Sequence, residues 1–397
     1  MSANLVPAFF KRSYNDKRRI IPNWNKEFFD PEKGLERNYL YSLHMLVQTI
    51  QIDSTTCEEY DDLLACGWFR GGGIIYRNEI VCISEQLYSV KHIRVPLVNF
   101  TPGKKHRKML RRNKELFQVG ISDPEVNDRK EELYSGQLNR FKAFVHVTLG
   151  DNMSAGRHDG EFETKELCVY DQGNLIAVSY FDVSTKSAAS IMCLFDQSYK
   201  KYSLGIYTML LEMEYAASLG VEYYYPGYVL DRPSPFDYKL TIGECQWMSQ
   251  DGVWQLLRDL PDIKTHAQHI REKMAELQVK LTLRGYTSVF KIYPYFTVGQ
   301  VMREHPDLLR IPCFYEVEKD GESWCVSYDS ELDQFVIFDT CLASELEFTQ
   351  HLELSDDYRN NDVYDLRLLK SNFYRPFEEE ILPGNLQSEN YFVNESV

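Results

Sequence analysis

The sequence lacks the long apolar segments that hold a protein in a membrane. No apolar run in the 397 residues approaches the roughly 18 residues that a membrane-spanning helix needs. The apolar stretch NLVPAFF near the start is too short for the core of a secretory signal. Repeats and low-complexity tracts are also missing. We therefore expect a globular protein of the cytoplasm that has no membrane partner.

Closely spaced cysteines are missing as well. The cysteines are Cys57, Cys66, Cys82, Cys168, Cys193, Cys245, Cys313, Cys325 and Cys341. No two of them form the C-x-x-C pattern that is typical of zinc sites, so scattered reduced thiols are the simplest interpretation. A metal ion held by cysteines far apart in sequence is the alternative. His266 and His269 can share a helix face, but without a third ligand the pair favours two surface histidines. We therefore predict no metal ion and no cofactor.

Positive charge is scarce overall but concentrated in one segment. The net charge is −15, which disfavours RNA binding because phosphate neutralisation drives such binding. Residues 101–114, however, carry seven cations and no acid. If this segment is a helix, five of the cations fall on one face and can follow a row of phosphates. A solvated basic helix face is the alternative interpretation. The five cations are Lys104, Arg107, Lys108, Arg111 and Arg112.

Two strands are predicted before the middle of the chain. Leu175–Asp182 (LIAVSYFD) and Ser190–Asp196 (SIMCLFD) are rich in apolar and aromatic residues, and the polar turn DQGN precedes the first segment. Both segments end on an aspartate. We therefore expect two neighbouring strands with a carboxylate at the end of each.

A helix and a third strand follow. After Gly205, apolar residues recur at helical spacing, and Gly220 suits the end of a helix. Val221–Tyr228 combines valine with four tyrosines, which favours a strand, and Pro226 with Gly227 interrupts it. Two strands, a turn, a helix and a strand in this order are typical of the GNAT acyltransferase core, although unrelated folds share the pattern.

Several short motifs lie in and around this predicted core. They are D-x-G-x-L-I-A-V-x-x-x-D at 171–182, S-L-G-x-Y at 203–207, Y-Y-Y-P-G-Y at 223–228 and Y-K at 238–239, preceded by the stretches 60–76 and 94–113. In this order and spacing they resemble motifs of the aminoacyl-tRNA protein transferases of the arginyltransferase type. The resemblance covers most of residues 55–245.

The resemblance implies an α+β fold and three parts. The fold is a GNAT-like acyltransferase core, a mixed and mainly antiparallel sheet with flanking helices. The parts are an N-terminal arginyltransferase-like domain with the basic helix (1–143), the transferase core (144–258) and a C-terminal α/β extension with an acidic tail (259–397).

The implied activity moves an amino acid from charged tRNA to the N-terminal amine of an acceptor protein. By family resemblance the amino acid is arginine, and the expected partners are aminoacyl-tRNA and the acceptor N-terminus. A non-catalytic or repurposed relative that acts as a binding protein is the alternative. A coenzyme A-dependent acyltransferase is a more distant third possibility, because the glycine pattern expected for coenzyme A is missing around Ser203-Leu204-Gly205.

The chain departs from the family at two places. Family members carry paired N-terminal cysteines that are associated with a metal or iron-sulfur centre, and this chain has no such pair. Where the family has K-M-x-Y-K, this chain has P-F-D-Y-K, which ends on Tyr238 and Lys239. These departures keep the alternative of a binding protein open.

The implied chemistry needs no activated nucleophile of the protein. An aminoacyl ester is already a good acyl donor, and the attacking α-amine has a pKa near 8. A protein assists by holding the two groups together, by taking a proton from the ammonium and by stabilising the oxyanion. The lack of a Ser-His-Asp pattern is therefore compatible with this activity.

Candidate site residues lie where strands and turns of the core end. Aspartates can hold an ammonium group, and tyrosines and a lysine can donate to the oxyanion or contact the tRNA end. The structural alternatives are capping for the aspartates, packing in the sheet for the tyrosines and a surface position for the lysine. We predict as catalytic Asp182, Asp196, Tyr238 and Lys239. We predict as substrate-binding Ser203, Gly205, Tyr207, Tyr224 and Tyr228, and as tRNA-binding Lys104, Lys105, Arg107, Lys108, Arg111 and Arg112.

Segments outside the core give weaker patterns. Helices are predicted around 40–50, at 123–140 and at 261–284, a mobile loop at 151–161, and strands within 314–338. The last 55 residues carry 12 acids against 4 Lys and Arg. Such a tail is either partly disordered or a docking surface.

Overall fold

The computed structural model describes most of the chain between Leu46 and Phe377. The described residues are 46–50, 55–71, 74–138, 148–154, 163–249, 251–257, 265–297, 307–319, 321–342 and 367–377. The helices are α1 (Cys57–Ala65), α2 (Lys104–Leu116), α3 (Asp128–Ser135), α4 (Leu149–Ser154), α5 (Leu204–Ser218) and α6 (His266–Leu283). Short 3-10 helices lie at Gln197–Tyr202 and Asp237–Thr241.

The strands form three sheets. The N-terminal strands are β1 (Val47–Ile50), β2 (Phe69–Gly71), β3 (Ile74–Asn78), β4 (Ile80–Ile83), β5 (Gln86–Pro96) and β6 (Gln118–Ser122). The central strands are β7 (Glu163–Asp171), β8 (Asn174–Val183), β9 (Ser187–Phe195), β10 (Tyr223–Tyr225), β11 (Tyr228–Leu230), β12 (Gln246–Met248) and β13 (Trp254–Leu256). The C-terminal strands are β14 (Thr287–Ile292), β15 (Cys313–Lys319), β16 (Glu322–Asp329), β17 (Gln334–Leu342) and β18 (Arg367–Pro376).

The central sheet has ten strands and is mainly antiparallel. Its order is β13-β12-β5-β10-β9-β8-β7-β6, and β4 and β11 also pair with β5. The neighbours β9 and β10 are parallel, because α5 connects them as a crossover. The predicted α+β class and the predicted order of strands, turn and helix are confirmed.

Helices cover both faces of the central sheet. Ala177 of β8 packs in a cluster with residues of α2 and α5, whereas its neighbour Val178 packs with residues of α3 and α4. Successive residues of a strand point to opposite faces, so the two helix pairs lie on opposite sides. Burial on both faces explains why β8 is almost continuously apolar.

The C-terminal strands form a separate five-stranded antiparallel sheet. Its order is β14-β15-β16-β17-β18, and α6 packs on it through Met274, Leu277 and Leu281. The same helix contacts the central sheet, because the backbone N–H of Ala267 donates to the Ser89 hydroxyl of β5 at 2.8 Å. Thus α6 joins the C-terminal part of the chain to the core.

Several predicted elements differ from the structure. Val47–Ile50 form β1 and not a helix, because this segment pairs with β3; the rest of the predicted helix, up to residue 45, lies outside the described residues. In the predicted loop, residues 151–154 belong to α4, whose first amides donate to the Glu131 carboxylate of α3; residues 155–161 lie outside the described residues. Both differences arise from contacts between distant segments.

Three further predictions concern larger parts of the chain. The predicted boundary between the N-terminal domain and the transferase core lies at residue 143. The strands β5 and β6 before it pair with strands after it in the central sheet. In the acidic tail, Arg367–Pro376 form β18 and are therefore ordered in the C-terminal sheet. Within the described part of the chain, no helix combines the length and the apolar character needed to cross a membrane.

Candidate functional site

The central sheet opens where β9 and β10 diverge. The two strands pair only from Ser187 to Ala189 and from Tyr223 to Tyr225. Beyond Tyr225 the chain turns at Gly227, which has a φ of 95°, and β11 then pairs with β5. Meanwhile β9 continues to Phe195 beside β8. The ends of β9 and β10 therefore leave a gap, which we call the strand splay.

A buried carboxyl group lies behind the strand splay. Glu212 of α5 is fully buried, and its Oε2 accepts a hydrogen bond from the Tyr224 hydroxyl at 2.6 Å. The Ser179 hydroxyl donates to Oε1, and Ser190 also hydrogen-bonds to the carboxyl group. Among the described residues its partners are hydroxyl groups and not cations, and burial raises the pKa of Glu212 to about 7.

A partly buried lysine lies on the other side of the strand splay. Lys239 Nζ donates to the Tyr228 carbonyl at 3.3 Å and lies 5.2 Å from the ring centroid of Phe236. The φ of Gly227 favours glycine, and a Cβ there would lie 3.2 Å from Nζ, so this lysine lies close against the turn. Burial lowers the pKa of Lys239 to about 8. This amine therefore changes its protonation state near neutral pH.

The N-terminus of α5 lies beside the basic helix α2. Ser203, the N-cap of α5, has a left-handed φ of 54° and makes no capping bond with its side chain. A Cβ at Gly205 would meet no described atom within 4 Å outside its own helix and its chain neighbours, so this side of the first turn of α5 is open. The side-chain amide of Asn113 donates to the Tyr202 carbonyl at 3.0 Å, and the Arg112 guanidinium lies 5.3 Å from the Tyr202 ring centroid. These contacts fix the end of α2 next to the start of α5.

The cations of α2 form an exposed basic surface that reaches this helix end. The helix buries His106, Leu110 and Asn113 against the core. Its predicted tRNA-binding cations, all exposed, are Lys104, Lys105, Arg107, Lys108, Arg111 and Arg112. The exposed Lys200 and Lys201 of the adjacent 3-10 helix extend the surface toward Ser203. The basic surface and the open start of α5 are thus neighbours.

Asp182 is held entirely by protein groups. It is fully buried, and Arg70 Nη1 lies 2.7 Å from Oδ1 while the Tyr60 hydroxyl donates to Oδ2 at 2.9 Å. The Thr164 hydroxyl donates to Oδ1 at 2.7 Å. These bonds join β8 to α1, β2 and β7, so this carboxylate connects four elements.

Asp196 lies on a different side of the core. Its Oδ1 accepts from the backbone N–H of Ser198 at 2.9 Å and caps the 3-10 helix that precedes α5. Arg129 of α3 lies 3.5 Å from Oδ2. Hydrogen bonds from Ser198 and the charge of Arg129 lower the pKa of Asp196. With Tyr199, these residues line an open surface depression of about 770 Å³.

The structure therefore distributes the predicted site residues over separate places. The residues around the strand splay are Tyr224, Tyr228, Tyr238 and Lys239. At the start of α5 lie Ser203, Gly205 and Tyr207, of which Tyr207 is buried. Asp182 and Asp196 share no hydrogen-bond or ion-pair partner with each other or with Lys239 among the described residues.

Two residues near the strand splay were not identified from the sequence. Glu212 lies between Met209 and Ala216 on the apolar face of α5. An acidic residue at such a position indicates a buried carboxyl group. Arg94 of β5 lies within a resembling stretch, but nothing in the sequence indicated its aromatic surroundings.

The described residues do not fit a metal centre. Among them, no group of three or more His, Cys, Asp or Glu side chains is arranged to hold a metal ion. Burial raises the pKa of the Cys82 and Cys313 thiols to about 12, which disfavours the thiolate form that binds metals. The metal or iron-sulfur centre associated with paired cysteines in the resembling family therefore has no counterpart among these side chains.

A segment that includes α5 and Lys239 matches a known protein family. Residues 103–249 match the family model described as "Arginine-tRNA-protein transferase, C terminus". The matched segment contains α2, β6 to β12 and α5.

Curated proteins from bacteria match a similar part of the chain. A protein of Leptospira interrogans named aspartate/glutamate leucyltransferase is 28% identical over 178 residues, which are 44% of this chain and 67% of that protein. Proteins of the same name from Acinetobacter baumannii and Shewanella amazonensis are 26% and 28% identical, over 52% and 49% of this chain and 74% and 81% of their own lengths.

Three solved structures are similar to this chain at low TM-scores. The C-terminal domain of a putative lysylphosphatidylglycerol synthetase from Agrobacterium fabrum has a TM-score of 0.30 at 14% identity, over 36% of this chain and 49% of that one. FemX has a TM-score of 0.29 at 11% identity, over 48% and 65%. A GCN5-related N-acetyltransferase from Anabaena variabilis has a TM-score of 0.29 at 10% identity, over 71% and 58%.

Proposed function

We propose that this protein transfers an amino acid from charged tRNA to the N-terminal amine of an acceptor protein. The observation that carries the proposal is the position of α2, whose exposed cations end beside the open start of α5. Cations attract a phosphate backbone, and the N-terminus of a helix favours an anion. A tRNA that follows α2 would bring its 3′ end to α5 and the strand splay. Residues 103–249, which match the arginine-tRNA-protein transferase model, include both elements.

Lys239 is our candidate for the proton acceptor. Its pKa of about 8 matches that of the acceptor ammonium, so the neutral amine can take the proton that makes the acceptor a nucleophile. The freed acceptor amine attacks the ester carbonyl and forms a tetrahedral intermediate. The attacking nitrogen of this intermediate still carries one proton more than an amide nitrogen. Collapse breaks the ester bond, the leaving ribose oxygen takes a proton from Nζ, and the extra proton of the nitrogen passes to water, so the transfer releases one proton overall.

The comparisons suggest both the amino acid and the acceptor. The family model names arginine, whereas the relatives are named for leucine and for aspartate or glutamate. We propose arginine as the transferred residue, as the resemblance implies, and leucine as the competing donor. For either donor we propose an acceptor that begins with an acidic residue. We propose that the reaction takes place in the cytoplasm and that the added amino acid marks the acceptor for degradation.

A transfer assay tests the proposal. The full-length protein is incubated with tRNA charged with labelled arginine, leucine or other amino acids and with peptides that begin with Asp or Glu. We expect label in the peptide from one donor and none from acetyl-coenzyme A. Binding of charged tRNA without transfer from any donor would favour the alternative, a repurposed relative that only binds. Failure of a folded protein to bind tRNA, together with a specific protein partner, would reject the transferase and also favour this alternative.

A further inference from the structure

The guanidinium of Arg94, on β5, contacts two aromatic rings near the strand splay. Its guanidinium carbon lies 3.8 Å from the ring centroid of Tyr223 and 4.4 Å from that of Trp254. Nε donates to Gln246 Oε1 at 2.7 Å, and Nη1 lies 3.4 Å from the Tyr225 hydroxyl. The two rings and the two hydrogen bonds fix the orientation of the guanidinium plane. Nη2 has no hydrogen bond to a described residue, and together with the second hydrogen of Nη1 it forms the end edge of the guanidinium.

Unlike Arg70 and Arg77, Arg94 forms no ion pair with an acidic side chain among the described residues. Arg70 pairs with Asp182 at 2.7 Å, and Arg77 pairs with Glu79 at 2.8 Å. Throughout the described part of the chain, no Asp or Glu forms an ion pair with Arg94, although its side chain is half-buried. A partly exposed guanidinium that has no protein anion beside it can accept an anionic ligand. The site therefore lacks a negative partner.

Arg94 and the proposed proton acceptor Lys239 contact the same turn. Tyr225, which lies against Nη1, is the last residue of β10 before the turn at Pro226 and Gly227. Lys239 contacts the same turn at Gly227 and at the Tyr228 carbonyl. Arg94 and Lys239 thus contact one four-residue segment at the strand splay, from Tyr225 to Tyr228.

We propose that Arg94 binds the side-chain carboxylate of the N-terminal residue of the acceptor. This inference rests on the proposed function, and it assigns the selection of acidic acceptors to one residue. A guanidinium edge matches the two oxygens of a carboxylate, and the stacked rings hold it in place before binding. An amide in place of the carboxylate removes the charge and presents two donors to the donors of Arg94, so Asn and Gln are disfavoured.

The acceptor site is tested by binding, independently of transfer. Calorimetry without tRNA compares peptides that begin with Asp or Glu with matched peptides that begin with Asn or Gln. We expect the wild type to prefer the acidic peptides by about tenfold or more. The Arg94→Gln variant loses this preference. The Arg94→Lys variant, which keeps the charge but not the planar edge, retains part of it. The control Arg271→Gln, on the α6 surface, retains all of it.

The outcomes separate the acceptor site from the proposed function. Acidic preference that depends on Arg94, without transfer from any charged tRNA, would keep the site and reject the transferase. A wild-type protein that binds acidic and amide peptides equally overturns the site, as does a preference that survives in folded Arg94→Gln. If Arg94→Gln weakens tRNA binding and leaves peptide binding unchanged, the anion is a phosphate and the inference is wrong. If Arg94→Gln does not fold, the folded Arg94→Lys variant decides by whether the preference falls.

Discussion

Glu212 shows how the chemistry of one residue is set by its surroundings. Its carboxyl group is buried and accepts hydrogen bonds from hydroxyls of β8, β9 and β10, with no cation beside it in the described part of the chain, so burial favours the neutral form. The unfolded chain ionises this group near pH 4.5, whereas the folded chain does so near pH 7. Folding therefore costs more as pH rises between these values, and the full cost is present above pH 7.

We predict that Glu212→Gln stabilises the protein more at pH 8 than at pH 5. Glutamine fills the same volume and cannot ionise, so it removes the cost of a buried charge. The gain in unfolding free energy should grow by about 2 kcal/mol between the two pH values. Urea denaturation at both values measures it. A pH-independent effect would show that Glu212 does not change ionisation on folding.

The carboxylate of Asp182 should be essential for stability. Asp182→Ala leaves the buried Arg70 without its anion, and Tyr60 and Thr164 without their acceptor. We expect a loss of about 3 to 5 kcal/mol in unfolding free energy. As a control, Asp123→Ala removes an exposed ion pair with Lys165 and should change stability little. If Asp182→Ala is as stable as the wild type, the buried pair is not structural.

Lys239 should control the pH dependence of transfer. Its amine must be neutral to accept a proton, so the rate should rise as pH passes through about 8. Lys239→Arg keeps the positive charge but cannot lose its proton in this range, and it should lower kcat about 100-fold or more. A wild-type rate in Lys239→Arg would mean that only the charge or its hydrogen bonds are needed.

Sequence patterns reveal which residue types are present but not which ones meet. Asp182 was identifiable as a carboxylate at a strand end, yet its partners Tyr60 and Arg70 lie more than 100 residues away in sequence. Lys239 was identifiable from its motif, whereas its lowered pKa arises from burial against Phe236 and Tyr228. Which side chains contact each other depends on how the strands assemble into the sheet, and a single sequence does not reveal that assembly.

At the scale of elements, α2 buries one face against the core and exposes its cations on the other. We predict that Lys108→Gln with Arg111→Gln weakens tRNA binding and reduces the slope of log affinity against log salt by about 2. Filter binding over a range of salt concentrations measures both. The matched control, Arg271→Gln with Lys370→Gln, removes two cations from the C-terminal part and should leave the slope unchanged. Equal slopes in both variants would remove α2 from the interface.

Elements with a strong local pattern were predictable. The helix α5 and the strand β8 have apolar patterns and turn residues that agree with their final surroundings. The strand β1 was not predictable, because its pairing with β3 outweighs its local preference. The strand splay was indicated only by Pro226 and Gly227, since the separation of β9 from β11 depends on the pairing of β11 with β5.

At the scale of the whole molecule, the charge distribution and the central sheet agree with one proposed meeting place for the two substrates. Residues 101–114 carry seven cations in a chain of net charge −15, so an RNA would be attracted to α2 and repelled from much of the remaining surface. The ten-stranded sheet holds Lys239 and Arg94 at the same turn, with the start of α5 on the connection between β9 and β10. Donor, proton acceptor and acceptor site are thus proposed to meet at the strand splay.

Mass spectrometry of an acceptor peptide tests this account most directly. The full-length protein is incubated with charged tRNA and a peptide that begins with Asp, and a matched peptide with an acetylated N-terminus is the control. We expect the free peptide to gain the mass of one amino acid residue at its α-amine, and the acetylated peptide to gain none. Addition to a lysine side chain, or no addition by a protein that binds the charged tRNA, would contradict the account.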